Sequence, residues 1–268
     1  MISMTESTEL FRIGIFSVQT WGTIVAFGML IGIILMLVEA QKKKLNKKAE
    51  SMLVWMLVFG MMCGRIAYII VNPNEFSTWM SYINIWQGGL ISWGVLLGVI
   101  LGVIASKLSS KIKSAEFYEI IDLMAPYLIL AIAIGRIGCF LRGCCFGIPS
   151  DLPWAVSYSK EAAVHPTQLY HSIADFIIFF LLLKLRKKKE KIKENNTDSK
   201  YSFFKTHGSI FIMFLILYSA ERFFIDFLRY HPAGEYFAGF SITQMVFFGL
   251  FVLSLVALNI KNKKEKNK

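Results

Sequence analysis

Charge is scarce in this chain, and little of it falls inside the long apolar runs. Of the 268 residues, 18% are Asp, Glu, Lys or Arg and 55% are hydrophobic. No stretch reads as a soluble domain, and no internal repeat stands out. Metal-ligand patterns are missing too. Cys139, Cys144 and Cys145 have the spacing C-x4-C-C, not paired C-x2-C, so no metal site is expected. Nothing in the sequence asks for a cofactor. The first residues lack the marks of a cleaved signal: Thr5, Glu6 and Glu9 stand where a basic region would be, and no A-x-A follows the first apolar run. The net charge of +11 is not a nucleic-acid signal, because the lysines are divided among the flanks of apolar stretches.

What is present is apolar length. Mean hydropathy is +0.54, the composition of a membrane protein. A helix needs roughly 20 mostly apolar residues to cross the hydrocarbon core. Seven stretches qualify, at about 18–38, 52–72, 89–106, 117–137, 168–185, 207–228 and 239–260. Backbone inside lipid must satisfy its own hydrogen bonds, so all seven are expected to be helices. The fold expected is an all-α integral membrane protein, one polytopic domain over residues 1–268.

The lysines orient it. They concentrate in Lys42 to Lys48, Lys107 to Lys113, Lys184 to Lys205 and Lys261 to Lys268, after the first, third, fifth and seventh stretches. That alternation predicts those segments in the cytoplasm, with the amino terminus outside and the carboxyl terminus cytoplasmic. The loop from Asn72 to Gln87, free of Lys and Arg, then faces outward. Lys187 to Lys200 reads as a charged linker.

Seven basic residues fall elsewhere: Lys160 and the arginines Arg12, Arg65, Arg136, Arg142, Arg222 and Arg229. A cation at membrane depth costs at least a few kcal/mol and is kept for a function and a partner. The flanks of Arg65, Arg136 and Arg222 are apolar, which points to function; Arg12 and Arg142 read as headgroup contacts. Arg recognises phosphate through a planar fork, unlike the point charge of Lys.

Four motifs frame these arginines. Gly135-Arg136-Ile137-Gly138-Cys139 runs on to Gly143, Cys144, Cys145 and Gly147, and the glycines allow close backbone approach. Arg222, Asp226 and Arg229 sit at i, i+4 and i+7 on one face. Either the acid neutralises two arginines, or one is left for a phosphate. His165-Pro166-Thr167-Gln168-Leu169-Tyr170-His171 opens the fifth helix, with Gln168, His171 and Asp175 on one face. A histidine there is a candidate general base or a structural partner. Gly28 and Gly32, Gly60 and Gly64, and Gly94, Gly98 and Gly102 recur every four residues, which predicts close helix packing. Asp122 is expected to pair with a lysine near the same membrane face, and Pro126 to kink its helix.

These residues resemble the prolipoprotein diacylglyceryl transferases over nearly the whole length. Gly135-Arg136-Ile137-Gly138 with Gly143 and Gly147 resembles the family signature. Gly64-Arg65-Ile66-Ala67-Tyr68, Trp86-Gln87-Gly88-Gly89 with Gly94 to Gly98, and His165 to Tyr170 resemble further family motifs in order. Arg222-Phe223 with Asp226-Phe227 and Arg229, and Gly239 to Gln244, complete the set. The resemblance implies a bacterial inner-membrane enzyme. It would move the diacylglyceryl group of phosphatidylglycerol to a prolipoprotein cysteine thiol next to its signal peptide, with glycerol phosphate leaving. It implies Arg136 and Arg222 on the phosphate, Arg65 and Asp226 in support, and Gly147 for close approach. Partners would be phosphatidylglycerol, prolipoprotein signal peptides and membrane lipid.

The chain departs from the family pattern where Trp93 replaces a histidine, Cys139 an asparagine, Cys144 a glutamate, Trp21 a tyrosine and Asp226 a glutamate. Catalytic candidates are therefore His165, Cys139 and Cys144. The cysteines have two readings: a bridge from Cys139 to Cys144 or Cys145, or free thiols, one of them a nucleophile. Two other functions stay open: a relative acting on another phospholipid acceptor, and a non-catalytic lipid-binding protein.

Overall fold

The structure is a computed structural model that describes residues 2–4, 9–13, 16–73, 76, 82, 89–158, 162–194, 206–232 and 236–266. Seven long helices occur among the described residues: α1 Thr20–Lys42, α2 Asn46–Val71, α3 Ser92–Ser109, α4 Ser114–Arg142, α5 Thr167–Glu194, α6 Ser209–Ile225 and α7 Ile242–Lys266. Each overlaps one of the seven apolar stretches. Five helical segments are long and apolar enough to span a bilayer: Thr20–Lys42, Asn46–Val71, Ser114–Arg142, Thr167–Ile192 and Ile242–Lys263. α3 and α6 are shorter, at 18 and 17 residues.

The chain forms two compact units, residues 37–120 and residues 1–36 with 121–268. In the first, α2 and α3 pack along their glycines. A Cβ on Gly94 would sit 2.8 Å from the Cys63 carbonyl, and one on Gly98 would sit 2.8 Å from Gly60 Cα. No side chain fits there, so the stripe sets the helix separation, as expected of small-residue packing.

In the second unit, Gly28 and Gly32 of α1 do the same against α4, where added Cβ atoms would meet Ile134 at 2.9 Å and the Tyr127 carbonyl at 2.8 Å. α4, α5 and α6 share a core of Ala125, Ile129, Leu130, Ile178, Phe179, Leu182, Ile210 and Phe214. α4 stays helical through Pro126. Asp122 pairs with a lysine as expected, Lys189 at 2.6 Å.

Two expectations are corrected. The segment from Lys187 is no linker: α5 continues to Glu194. Lys189 and Ile192 are buried, and Ile192 packs with Leu185 and Ile212. Leu185, Lys189 and Ile192 fall at i, i+4 and i+7, so one face of the charged tail is covered. The remainder of that expected linker, 195–200, lies outside the described residues. Nor is the fold wholly helical. Short strands pair as β1 (Ile2–Met4) with β4 (Val156–Tyr158), β2 (Glu9–Ile13) with β3 (Phe16–Gln19), and β5 (Tyr236–Phe237) with β6 (Phe240–Ser241). At two to five residues each, they are too short to show a period of two.

Candidate functional site

Arg136 lies in the last two turns of α4, so the apolar run before it carries a guanidinium toward the loop that follows. Among the described residues it forms no hydrogen bond and no salt bridge. Its electrostatic neighbours are Tyr218, Cys139, Cys145 and Asp175. Arg222, near the end of α6, is 6% exposed. Its Nη1 donates to Nε2 of His171 at 3.2 Å. Its guanidinium lies over Phe247, 5.1 Å from the ring centre, and its buried Nε has no partner among the described residues. The two arginines lie within electrostatic range of one another.

The acids nearby do not cancel them. Asp175 is fully buried, and neither of its carboxylate oxygens accepts a hydrogen bond among the described residues. Glu221 accepts from Nδ1 of His171 through one oxygen and leaves the other unbonded. Neither Arg136 nor Arg222 forms an ion pair with a carboxylate among the described residues. Buried donors and acceptors are nearly always satisfied. A cluster this unsatisfied, with two guanidiniums, fits an anion that brings its own acceptors.

Of the Arg222, Asp226, Arg229 face, the first two do not meet. Asp226 follows α6 in a 3-10 turn, Asp226–Leu228. It is buried, and its Oδ2 accepts from His231 Nε2 at 2.9 Å and from the Ser241 hydroxyl. Arg229 lies 3.9 Å from its other oxygen. Ser241 in turn caps α7: Gln244 N donates to Ser241 Oγ at 3.0 Å, and Ser241 N donates to Gln244 Oε1 at 2.9 Å. That is a reciprocal capping box. Asp226 therefore ties the end of α6 to the start of α7, and its carboxylate makes no ion pair with Arg222 among the described residues.

Gly147 marks a crossing of three backbones. Its N donates to the His165 carbonyl at 2.9 Å, His165 N donates to Ile148 O at 3.1 Å, and Ile148 N donates to Leu228 O at 3.0 Å. A Cβ there would overlap the Leu228 carbonyl and lie 2.7 Å from His165 Cβ. Close approach is what this glycine allows, and the neighbour is protein backbone. Gln168 and Thr167 fasten the preceding loop, donating to Cys144 O at 2.7 Å and Cys145 O at 2.8 Å. His165 Nδ1 lies 3.3 Å from the Tyr170 hydroxyl, which also accepts from Trp154 Nε1 at 2.8 Å.

All four cysteines are free, so the expected Cys139 bridge is not formed. Cys139 Sγ accepts from Trp21 Nε1 at 3.3 Å, and Cys144 Sγ donates to Cys139 O at 3.6 Å. Arg142 stacks over Trp21, 5.5 Å from the ring. The neighbouring Cys139 and Cys144 thiols hold the Cys145 thiol well below its ordinary range, with Arg229 and Arg136 adding to the effect. Cys144, beside the same thiols, is pushed up.

Arg65 belongs to the 37–120 unit. Its Nε and Nη1 donate to the carbonyls of Tyr82 and Gly89, both at 3.1 Å, and its guanidinium packs on Tyr68 and Phe76. These bonds tie Tyr82 and Gly89 to α2. Trp93, where the resembled family has histidine, is 59% exposed at the start of α3. The motif residues Trp86 to Gly88, Lys160 and the Arg12 side chain lie outside the described residues.

Sequence reasoning missed Glu221 and His231. Glu221 was in plain view, an acid inside an apolar run and adjacent to Arg222. The rule that marked the arginines marks it equally.

Over residues 8–260 the sequence matches the model of a family described as prolipoprotein diacylglyceryl transferase. A protein of Clostridium tetani named phosphatidylglycerol–prolipoprotein diacylglyceryl transferase is 29% identical over 259 residues, 94% of this chain and 95% of that protein. One of the same name from Finegoldia magna is 30% identical over 250 residues, 92% of each chain. One from Thermotoga maritima is 30% identical over 233 residues, 83% of this chain and 74% of its own.

Proposed function

We propose that this chain, which belongs to the prolipoprotein diacylglyceryl transferase family, transfers the diacylglyceryl group of phosphatidylglycerol to the lipobox cysteine thiol of prolipoproteins. The acceptor sulfur attacks the glycerol carbon that carries the phosphate. A C–S bond forms, the C–O bond breaks, and glycerol phosphate leaves with the electron pair. The thiol proton passes to a base.

The observation that carries the reading is the pair Arg136 and Arg222, held near each other on apolar helices without a carboxylate bonded to either among the described residues. Fixed guanidiniums are what a phosphate leaving group needs, because they stabilise charge that grows as the C–O bond breaks. The setting is the bacterial inner membrane, crossed seven times by α1 to α7. The amino terminus is outside and the carboxyl terminus cytoplasmic, by the lysine distribution. The donor reaches the site from the bilayer, and the acceptor is presented beside its signal peptide.

The test is purified protein in phosphatidylglycerol vesicles with a lipobox peptide, read by the mass gain of the peptide. The wild type should add one diacylglyceryl group per thiol. Arg136→Lys should slow transfer about 10-fold or more, since one charged, bidentate hydrogen bond is worth roughly 1.5–3 kcal/mol. Phosphatidylglycerol binding at wild-type strength by both Arg136→Ala and Arg222→Ala would defeat the anion-site assignment. Binding without transfer by the wild type would favour a lipid-binding protein, the reading that Trp93 supports.

A further inference from the structure

The transfer proposed above has to deprotonate a thiol, and Trp93 cannot do it. We infer that His171, backed by Glu221, is the proton acceptor, and that Arg222 covers it until the phospholipid arrives. This rests on the transferase reading and adds the base to it.

The geometry assigns the protons. Arg222 can only donate, so His171 Nε2 must be the accepting nitrogen in the 3.2 Å contact with Nη1. The remaining ring proton is then on Nδ1, and it faces the Glu221 carboxylate. A carboxylate on Nδ1–H fixes the tautomer and supports the imidazolium that forms when Nε2 takes a proton. The basic nitrogen thus points at the guanidinium assigned to the donor phosphate. The pair is 2% and 6% exposed in its side chains, so bulk water does not compete for the proton.

Charge couples the two events. The groups around the ring are Arg136 of α4, Cys145 of the following loop, Asp175 of α5 itself, Tyr218, Glu221 and Arg222 of α6, and Arg229 beyond it. When Arg222 turns to a phosphate it releases Nε2, and the phosphate offsets the guanidinium charge beside the ring. The acceptor thiol gives its proton to Nε2 as its sulfur bonds to carbon and glycerol phosphate departs. Loss of that proton to water on product release restores the neutral ring. A base uncovered only by the donor protects the acceptor thiol from activation in an empty site.

His171→Gln tests this in the vesicle assay. Gln keeps an acceptor for Arg222 but takes no proton. Transfer should fall about 100-fold or more, in the range that a positioned base contributes. Phosphatidylglycerol binding should stay within about twofold, which also shows that the variant is folded. The acid limb of the wild-type pH–rate profile should be absent in what activity remains. Glu221→Gln should lose about 10-fold, and the double variant should be no slower than His171→Gln alone, because the two act as a unit. Transfer by His171→Gln within threefold of wild type overturns the proposal. So does a rate loss matched by an equal loss of lipid binding, which would make His171 a support for Arg222 only. Should His171→Gln fail to fold, an unchanged rate and pH profile in Glu221→Gln overturns it equally. Absence of transfer by the wild type is a different failure, that of the transferase reading.

Discussion

Asp122 and Lys189 offer a perturbation whose size follows from the contacts. Asp122 Oδ2 accepts from Lys189 Nζ at 2.6 Å and from Gly208 N at 2.9 Å, while Oδ1 accepts from Phe211 N at 2.9 Å. One acid therefore pairs with α5 and caps the first turn of α6. Lys189 also donates to the Thr206 carbonyl at 2.7 Å and to Ser209 Oγ at 2.9 Å. Both residues are buried. Removing one partner of such a pair strands the other charge and costs about 3–5 kcal/mol. Lys189→Met leaves a buried carboxylate with two backbone donors. Asp122→Asn leaves a buried ammonium and loses one capping bond. Each single variant should thus lose about 3–5 kcal/mol, whereas the partly exposed pair Lys43–Glu119, at 3.4 Å, should be worth only about 0–1 kcal/mol. The double variant Asp122→Asn/Lys189→Met strands no charge, so its loss should fall short of the sum by about 2–3 kcal/mol. Denaturant unfolding in mild detergent, followed by helix content, measures all three. Single losses below about 1 kcal/mol, or additivity, would refute the buried pair.

The remaining expectations are shorter. Gly147→Ala should cost about 2–3 kcal/mol and most of the transfer activity, because its methyl group would force Leu228 and His165 apart; a wild-type melting midpoint counts against the crossing. A membrane-impermeant thiol label at an Asp151→Cys site should react in intact spheroplasts and one at a Lys111→Cys site should not, and the opposite pattern would invert the topology. Ser at Cys139, Cys144 and Cys145 together should keep transfer within about tenfold of wild type, and mass spectrometry of the working enzyme should find no lipid on any of the three.

Helix positions were legible because spanning length and apolarity are one-dimensional properties of a chain. The glycine spacing predicted close helix packing, and the structure supplies the partners, α2 on α3 through Gly60, Gly98 and their neighbours. The site was half legible. Arg136 and Arg222 stand out against apolar flanks, and the structure brings them within electrostatic range of one another, Arg222 buried and Arg136 half-buried. What was hidden needed a third dimension. Arg65 has the same local signature as Arg136, yet its donors serve the carbonyls of Tyr82 and Gly89. Asp226 at i+4 from Arg222 reads as its counter-ion, but the helix tightens to a 3-10 turn and His231 and Ser241 take the acid instead. Charge density hid the end of α5, where one covered face of Leu185, Lys189 and Ile192 outweighs the polar residues around it.

The cysteines separate reactivity from use. Cys145 has the features of an activated thiol: two thiols beside it and the field of Arg229 and Arg136. A nucleophile of that kind suits acyl transfer, where a thioester is made and then broken by a second attack. Diacylglyceryl transfer is alkyl transfer. If Cys145 attacked the donor carbon, the product would be a thioether, and a second thiol would have to expel a thiolate from saturated carbon. Phosphate is by far the better leaving group, so the first displacement would proceed and the second would stall, with the enzyme consumed in one turnover. Only direct attack by the acceptor thiol lets the protein cycle. The three thiols then serve the fold around the chemistry. Cys139 takes the Trp21 N–H, and the backbones of Cys144 and Cys145 receive Gln168 and Thr167. The loop after Arg136 is thereby pinned to the first turn of α5, one turn from His171.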